Sequence, residues 1–168
     1  MTPDLFWIPG PWRGRLAIAA RPRGGDWLQD EVGGLRRAGI GLVVSLLEKD
    51  EAEQLELADE AKALEANGLD LVSFPIPDRG VPASTAAAVS VIAGIAHALE
   101  AGKNVAVHCR QGIGRSGLIA AGVLMTSGVS PEQAIQVVSS ARGRAVPETS
   151  EQLSWAKQLP SGLPVVRG

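Results

Sequence analysis

A cysteine and an arginine separated by five residues are the side chains of this sequence best suited to chemistry. Cys109 is the only cysteine, and Arg115 follows it after Arg110, Gln111, Gly112, Ile113 and Gly114. A cysteine thiolate is a strong nucleophile. The planar guanidinium of an arginine holds two oxygens of a phosphate at once. Together they indicate a nucleophile placed beside a bound phosphate.

The residues around this pair predict a loop between a buried strand and a buried helix. Residues 104–108 are short, apolar and rich in valine, and residues 117–125 are a longer apolar run. The free N–H groups of such a loop converge, and the helix dipole adds positive potential, so the loop binds an oxyanion. We expect Gly112 and Gly114 to allow the backbone angles that this convergence needs. Residues 110–115 are therefore the expected phosphate-binding residues.

The same positive potential favours the thiolate of Cys109 and places it for in-line attack on phosphorus. The expected reaction is covalent catalysis through a phosphocysteine. Ser116 follows the arginine, and its hydroxyl can donate a hydrogen bond to the sulfur when the sulfur leaves again. The alternative is a buried structural cysteine in a glycine-rich turn.

The segment His108-Cys109, five residues, Arg115-Ser116 resembles the His-Cys-x5-Arg-Ser/Thr signature of the cysteine-dependent protein tyrosine phosphatases. The Gly-x-Gly-Arg ending of this segment and the short length of the chain look most like the dual-specificity branch. The sequence is also similar to cyclin-dependent-kinase-associated phosphatases and to small prokaryotic relatives. The resemblance covers about residues 12–158. It implies a phosphotyrosine-phosphatase-like α/β fold and phosphomonoester hydrolysis. Nothing in the sequence requires a metal or a cofactor, and we expect none.

Protonation of the leaving oxygen requires an acid on another element. Asp78 lies between two prolines and Gly80, and the resemblance implies a general acid on such a loop, some thirty residues before the cysteine. The alternative for Asp78 is a turn cap, and Asp50 is the reserve candidate for the acid.

Other residues receive roles from the resemblance alone. It implies that the His108 ring orders the backbone around the cysteine. It also implies that Gln152 positions the water that hydrolyses the phosphocysteine, although a glutamine there equally fits ordinary helix-start chemistry. Four arginines are candidates for the rim of the site or for solvated surface: Arg79, Arg110, Arg142 and Arg144.

The rest of the sequence alternates strand and helix patterns. Strands are expected at 15–20 (as an edge strand), 41–47, 69–74 and 104–108. Helices are expected at 27–38 with Asp26 as cap, 51–66, 84–101 with Ser84 as cap, after Ser116, at 130–142 and at 149–158. This alternation predicts a central, mostly parallel sheet with helices on both faces, and a site at the carboxyl end of a strand. We expect residues 159–168, with two prolines and two glycines, to be loosely packed.

The bulk properties indicate one domain over residues 1–168. The net charge of −2 gives no reason to expect nucleic acid or a membrane surface as a partner. A single cysteine excludes an internal disulfide, and the N-terminus lacks a signal-peptide pattern. A thiol enzyme of this kind fits a reducing cytosol, so we expect a cytoplasmic protein. We also expect a monomer.

Three functional classes fit these observations. The leading hypothesis is a phosphatase that acts on phosphorylated protein, with phosphotyrosine favoured over phosphoserine and phosphothreonine. A phosphatase of phosphoinositides or other small phosphomonoesters stays open, because Arg110 occupies a loop position where lipid phosphatases of the superfamily carry lysine. The other classes are a non-catalytic phosphate-binding module, and sulfur or arsenate transfer.

Overall fold

A five-stranded sheet forms the centre of the molecule. The computed structural model describes residues 3–159 and residue 163. The strands are β1 (Leu5–Ile8), β2 (Leu16–Ala19), β3 (Leu42–Ser45), β4 (Asp70–Ser73) and β5 (Val105–His108). Their order is β1-β2-β5-β3-β4, and only β1 runs antiparallel to its neighbour. The predicted mostly parallel sheet is confirmed.

Helices cover both faces of this sheet. They are α1 (Leu28–Arg37), α2 (Lys49–Gln54), α3 (Glu60–Ala66), α4 (Thr85–Glu100), α5 (Gly114–Met125), α6 (Pro131–Arg142) and α7 (Ser150–Gln158). Side chains alternate along a strand, so Leu42 and Val44 join one core with α4, α5 and α6, whereas Val43 joins a second core with α1 and α3. The prediction of helices on both faces is confirmed.

The helix starts follow the expected chemistry at two places. Ser84 caps α4 by accepting a hydrogen bond from the Ala87 amide, and Ser130 and Gln133 form a reciprocal capping box at α6. In the part of the chain that the structure describes, no helix is both long and apolar enough to cross a bilayer.

Two predictions near the N-terminus are wrong. Residues 15–20 do not form an edge strand, because β1 pairs with β2 from Leu5 opposite Ala19 to Ile8 opposite Leu16 and takes the edge position. Asp26 does not cap α1. It lies inside a 3₁₀ turn (Gly25–Trp27), and Trp27 at the cap position makes no side-chain hydrogen bond.

The predicted helix 51–66 is divided into α2 and α3. Leu57 is buried, and its amide bonds the carbonyl of Ala52. The preceding Glu56 adopts a left-handed φ of 57°, so the chain turns between the two helices. Glu51 and Glu60 are 8% and 5% exposed. These two acidic side chains do not face solvent. Glu51 pairs with Arg115 and Glu60 with His108 inside the protein.

The expectation of a loose tail falls mostly outside the described residues. Leu159, the first residue of that segment, is 2% exposed and belongs to the larger core.

Candidate active site

The loop from Cys109 to Ile113 joins the central strand β5 to α5. Gly112 has a φ of 69°, which a residue with a side chain adopts only at a cost. Ile113 is the cap residue of α5 and its side chain makes no capping hydrogen bond. Cys109 is 3% exposed and starts the loop. The loop thus leads from Cys109 directly into the first turn of α5, whose free N–H groups are the kind of donors that an anion site uses.

Gly114 is needed for a different reason from the one expected. A Cβ at this position would lie 2.9 Å from the Glu148 Oε1 atom and 3.0 Å from the Gln152 Oε1 atom. The φ of Gly114 does not lie in the left-handed region. Gly114 therefore allows close packing of α5 against residues 148–152, whereas Gly112 supplies the unusual backbone angle.

The guanidinium of Arg115 is buried and held on three sides. Its Nη1 donates to Glu51 Oε1 at 2.6 Å and to the Ile76 carbonyl at 2.9 Å. Its Nη2 donates to Glu51 Oε2 at 2.9 Å and to Asp78 Oδ1 at 3.1 Å. The Nε–H group has no acceptor among residues 3–159. On the edge formed by Nε and Nη2, only the Nε–H is unpartnered among the described residues, because Glu51 and Asp78 accept from both N–H groups of Nη2. This edge can therefore bind a phosphate when the phosphate displaces Asp78 from Nη2.

The opposite charges of Arg115 and Glu51 stabilise each other. The hydrogen bond from Arg115 lowers the pKa of Glu51, and it outweighs burial, which acts in the opposite direction. Burial alone would lower the pKa of Arg115, but the hydrogen bond with Glu51 and the negative charges of Cys109, Glu51 and Asp78 raise it. Both groups therefore stay ionised, and the guanidinium is fixed in position before a substrate arrives.

Sequence reasoning missed Glu51 as a site residue. It lies among several acidic residues at the start of α2, a composition typical of a solvated helix surface. The only signal in the sequence was its place just after the end of β3, which lies beside β5 in a parallel sheet. Side chains at the carboxyl ends of adjacent parallel strands meet at one edge.

Replacing Glu51 with glutamine tests the contribution of this carboxylate to stability. We expect the free energy of unfolding at neutral pH to fall by about 3 kcal/mol, because a buried guanidinium loses its buried counterion and keeps only the half-exposed Asp78. Glu51 has a lowered pKa in the folded protein, so its contribution is present above the unfolded value and is lost as the pH falls through the folded value. Urea unfolding measured between about pH 7 and about pH 3 should therefore show the variant and wild type converging in acid.

The exposed Glu53 on the same helix gives the matched control, and Glu53→Gln should leave the unfolding curve nearly unchanged. A stability difference between Glu51→Gln and wild type that is the same at every pH would contradict the assigned role of the charge.

His108 and Ser116 each carry a buried polar atom without a partner. The Nε2 atom of His108 lies 2.7 Å from Oε2 of the buried Glu60. The other ring nitrogen, Nδ1, and the hydroxyl oxygen of Ser116 have no hydrogen-bond partner among the described residues. Such atoms cost free energy, and in native proteins they call for a specific explanation, which includes a catalytic role. Their roles as backbone-ordering ring and sulfur donor stay predictions.

Asp78, and not Asp50, reaches Arg115, the arginine predicted to bind phosphate. It lies on the loop after β4, its side chain is 52% exposed, and it pairs with Arg115. Asp50 is exposed in the first turn of α2, and makes no hydrogen bond with the described residues. The structure therefore brings Asp78, Arg115 and the Cys109 loop together, and it leaves Asp50 outside this cluster.

Gln152 is fully buried and its side chain already has partners. Its Oε1 atom accepts hydrogen bonds from the amides of Glu148 and Thr149, at 3.0 and 3.2 Å. Its Nε2 atom donates to the carbonyl of Gly80 at 2.9 Å. These bonds join the start of α7 to the loop that carries Asp78. The water-positioning role stays a prediction, and the contacts assign Gln152 a structural role in addition.

Arg142 supports the loop instead of lining its mouth. Its Nε atom donates to the carbonyl of Gly112 at 2.7 Å, and an Nη donates to the carbonyl of Gln111 at 3.3 Å. Its guanidinium also lies 4.1 Å from the centre of the Phe6 ring. These two hydrogen bonds hold the backbone of the loop at Gln111 and Gly112.

Comparison with known proteins places this site in a family. A family model described as "Tc-R-P: Polymorphic toxin system, DSP-PTPase phosphatase" matches residues 17–129. Cyclin-dependent kinase inhibitor 3 of Rattus norvegicus is 26% identical over 134 residues, which cover 79% of this chain and 63% of that protein. The chain thus spans less than two thirds of the length of the curated relatives it matches.

Solved structures agree with this match. The crystal structure of kinase associated phosphatase (KAP), with its catalytic-site cysteine replaced by serine, has a TM-score of 0.88 at 21% identity and covers 97% of both chains. Tk-PTP in its active form has a TM-score of 0.80 at 30% identity, covering 97% of this chain and 100% of that one. The first likeness shows the fold, and the second also supports common descent. The chain belongs to the DSP-PTPase family of cysteine-dependent phosphatases.

Proposed function

We propose that this protein hydrolyses phosphotyrosine in other proteins through a phosphocysteine intermediate, with phosphoserine and phosphothreonine as secondary substrates. One observation carries the proposal. A buried arginine at the end of the phosphate-binding loop contacts the carboxylate of Asp78, so that the binding group and the acid meet beside the loop that begins at Cys109.

In the first half of the reaction, the loop amides and the Nε–Nη2 edge of Arg115 bind the phosphate of the substrate. The sulfur of Cys109 attacks phosphorus, an S–P bond forms and the bond from phosphorus to the tyrosine oxygen breaks. Asp78 in its protonated form gives its proton to the departing oxygen. The phenol leaves, and Asp78 is now a carboxylate.

In the second half, a water molecule attacks phosphorus and the S–P bond breaks. The Asp78 carboxylate accepts the proton of the water, which restores the acid for the next cycle. The sulfur leaves as a thiolate, and the unpartnered hydroxyl of Ser116 donates a hydrogen bond to it. The products are inorganic phosphate and the dephosphorylated residue.

Two observations support protein as the substrate. Relatives that match over most of this chain are kinase associated phosphatase and cyclin-dependent kinase inhibitor 3, names that connect those proteins to kinases. The side chain of Asp78 is half-exposed, so the mouth of the site is open enough for a residue within a peptide. A small phosphomonoester, such as a phosphoinositide, is the second candidate because Arg110 is exposed beside Cys109 and free of ion pairs with described residues.

The test is hydrolysis of an aryl phosphate and of phosphotyrosine, phosphoserine and phosphothreonine peptides, with phosphoinositides in a parallel arm. Wild type should hydrolyse the tyrosine peptides fastest, and Cys109→Ser should lower the rate by at least about 10⁴-fold, as loss of a nucleophile does. Hydrolysis that survives in Cys109→Ser would overturn the mechanism. Faster turnover of phosphoinositides would replace the proposed substrate, and phosphate binding without turnover would indicate a non-catalytic protein.

The single cysteine provides an independent check of the same proposal. Because no other thiol exists in the chain, labelling by iodoacetate reports on Cys109 alone. Inorganic phosphate should slow this labelling if the anion binds over the sulfur. Equal labelling with and without phosphate would contradict the assigned binding site.

A further inference from the structure

A cavity of about 430 Å³ opens beside the catalytic loop. Its walls come from the segment after β2, from α1 and from the loop itself, and they include Ala20, Arg21, Pro22, Leu35, Arg110 and Gln111. The volume lies within the range of ligand-binding pockets. Because Arg110 and Gln111 belong to the loop that begins at Cys109, the cavity and the phosphate-binding loop share a wall.

The three arginines of this cavity differ in whether they already have hydrogen-bond or ion-pair partners. Arg23 is already held, since it pairs with Glu31 and its guanidinium stacks 4.3 Å from the centre of the Trp27 ring. Arg21 and Arg110 make no hydrogen bond or ion pair with any residue in the described part of the chain. Two guanidinium groups that line the same cavity from two different segments can bind one anion together.

The acidic residues of the cavity limit the charge that it can accept. Asp4 and Glu31 also line it, so the three arginines exceed the acids by one positive charge. A ligand with several phosphates would meet uncompensated repulsion from Asp4, whereas a single carboxylate or phosphate matches Arg21 and Arg110. Apolar contacts from Leu35 and Pro22 suit the stem of a side chain.

We propose that this cavity is a subsite for an acidic or phosphorylated residue of the substrate peptide, close in sequence to the residue that is dephosphorylated. The proposal deepens the function proposed above and depends on it for the identity of the substrate as a peptide. The neighbouring residue inserts its anionic group between Arg21 and Arg110 while the scissile phosphate lies on the catalytic loop. The subsite thus sets sequence preference and does not take part in the chemistry.

Binding measured on the Cys109→Ser protein tests this subsite without relying on turnover. The probes are phosphotyrosine peptides that differ only in an aspartate, a phosphoserine or an alanine, placed up to about three residues on either side, which an extended chain spans in about 10 Å. At one or more positions the acidic peptide should bind about fivefold more tightly than the alanine peptide, as expected for a partly exposed ion pair. Adding Arg21→Ala should bring the ratio of the two Kd values close to one.

Arg36→Ala in the same background is the matched control, because Arg36 is an exposed arginine of α1 outside the cavity. It should leave the ratio unchanged. Equal binding of acidic and alanine peptides at all positions, or the same preference with Arg21→Ala, would overturn the subsite. Hydrolysis of an aryl phosphate by wild type tests the proposed function separately. If wild type hydrolyses the aryl phosphate but the Kd values of the acidic and alanine peptides are equal, only the subsite is rejected.

Discussion

Arg115→Lys should lower kcat/KM for an aryl phosphate by about 10³-fold, a loss typical of removing a preorganised charged donor. Lysine keeps the positive charge but loses the planar fork. Arg115 binds both oxygens of Glu51, and its Nε–Nη2 edge becomes available to phosphate when Asp78 moves off Nη2. A single ammonium cannot hold the two carboxylate oxygens and two phosphate oxygens together. Steady-state kinetics on wild type and variant measure the effect.

The matched control is Arg144→Lys, an exposed arginine of the segment after α6, which should stay within about twofold of wild type because exposed charges contribute little. Circular dichroism and urea unfolding separate a folding defect from a catalytic one. If the folded Arg115→Lys protein lost less than about tenfold, the planar guanidinium would not be the group that binds the transferred phosphoryl oxygens.

Asp78→Asn should produce the second large effect, and its size should depend on the leaving group. For phosphotyrosine and other substrates with poor leaving groups we expect kcat to fall by about 10²- to 10⁴-fold, the range for loss of a general acid. For aryl phosphates whose phenols leave without a proton, the loss should be far smaller. Asparagine keeps the shape and can still accept a hydrogen bond from Arg115, so the variant removes the proton donor specifically. The measurement is a plot of log kcat against the acidity of the phenol.

Asp50→Asn serves as the control, since Asp50 lies in the first turn of α2, after β3, and is exposed. It should show no dependence on the leaving group. An equal loss for Asp78→Asn on all phenols would mean that Asp78 acts by positioning Arg115 and not by donating a proton. A leaving-group dependence in Asp50→Asn would transfer the role to that residue.

Much of the fold was predictable because most elements obey local rules. The parallel strands are short apolar runs, and the starts of α4 and α6 carry serine caps. The strand β1 was missed because its segment is surrounded by proline and tryptophan, and its pairing with β2 is a tertiary contact. The break between α2 and α3 was missed because no glycine or proline marks it, and Glu56 takes the left-handed angle instead.

The candidate site was also predictable only in part. The residues of the loop and Asp78 follow from spacing along the chain and from a known signature. The two buried carboxylates do not, since Glu51 and Glu60 look like surface acids and become recognisable only when Arg115 and His108 lie next to them. Gln152 was assigned to water by resemblance, yet its amide bonds to Gly80 across 72 positions of sequence, a contact that no local pattern encodes.

The contact between Asp78 and Arg115 also bears on how the catalytic cycle ends. The Nη2 group that holds the aspartate at 3.1 Å is part of the edge left for phosphate, so the two anions exclude each other there. In the proposed mechanism, inorganic phosphate leaves this edge and Asp78 returns to Nη2 once it has lost its proton. If the proposed mechanism holds, competition between Asp78 and phosphate for Nη2 would favour release of the product over its retention.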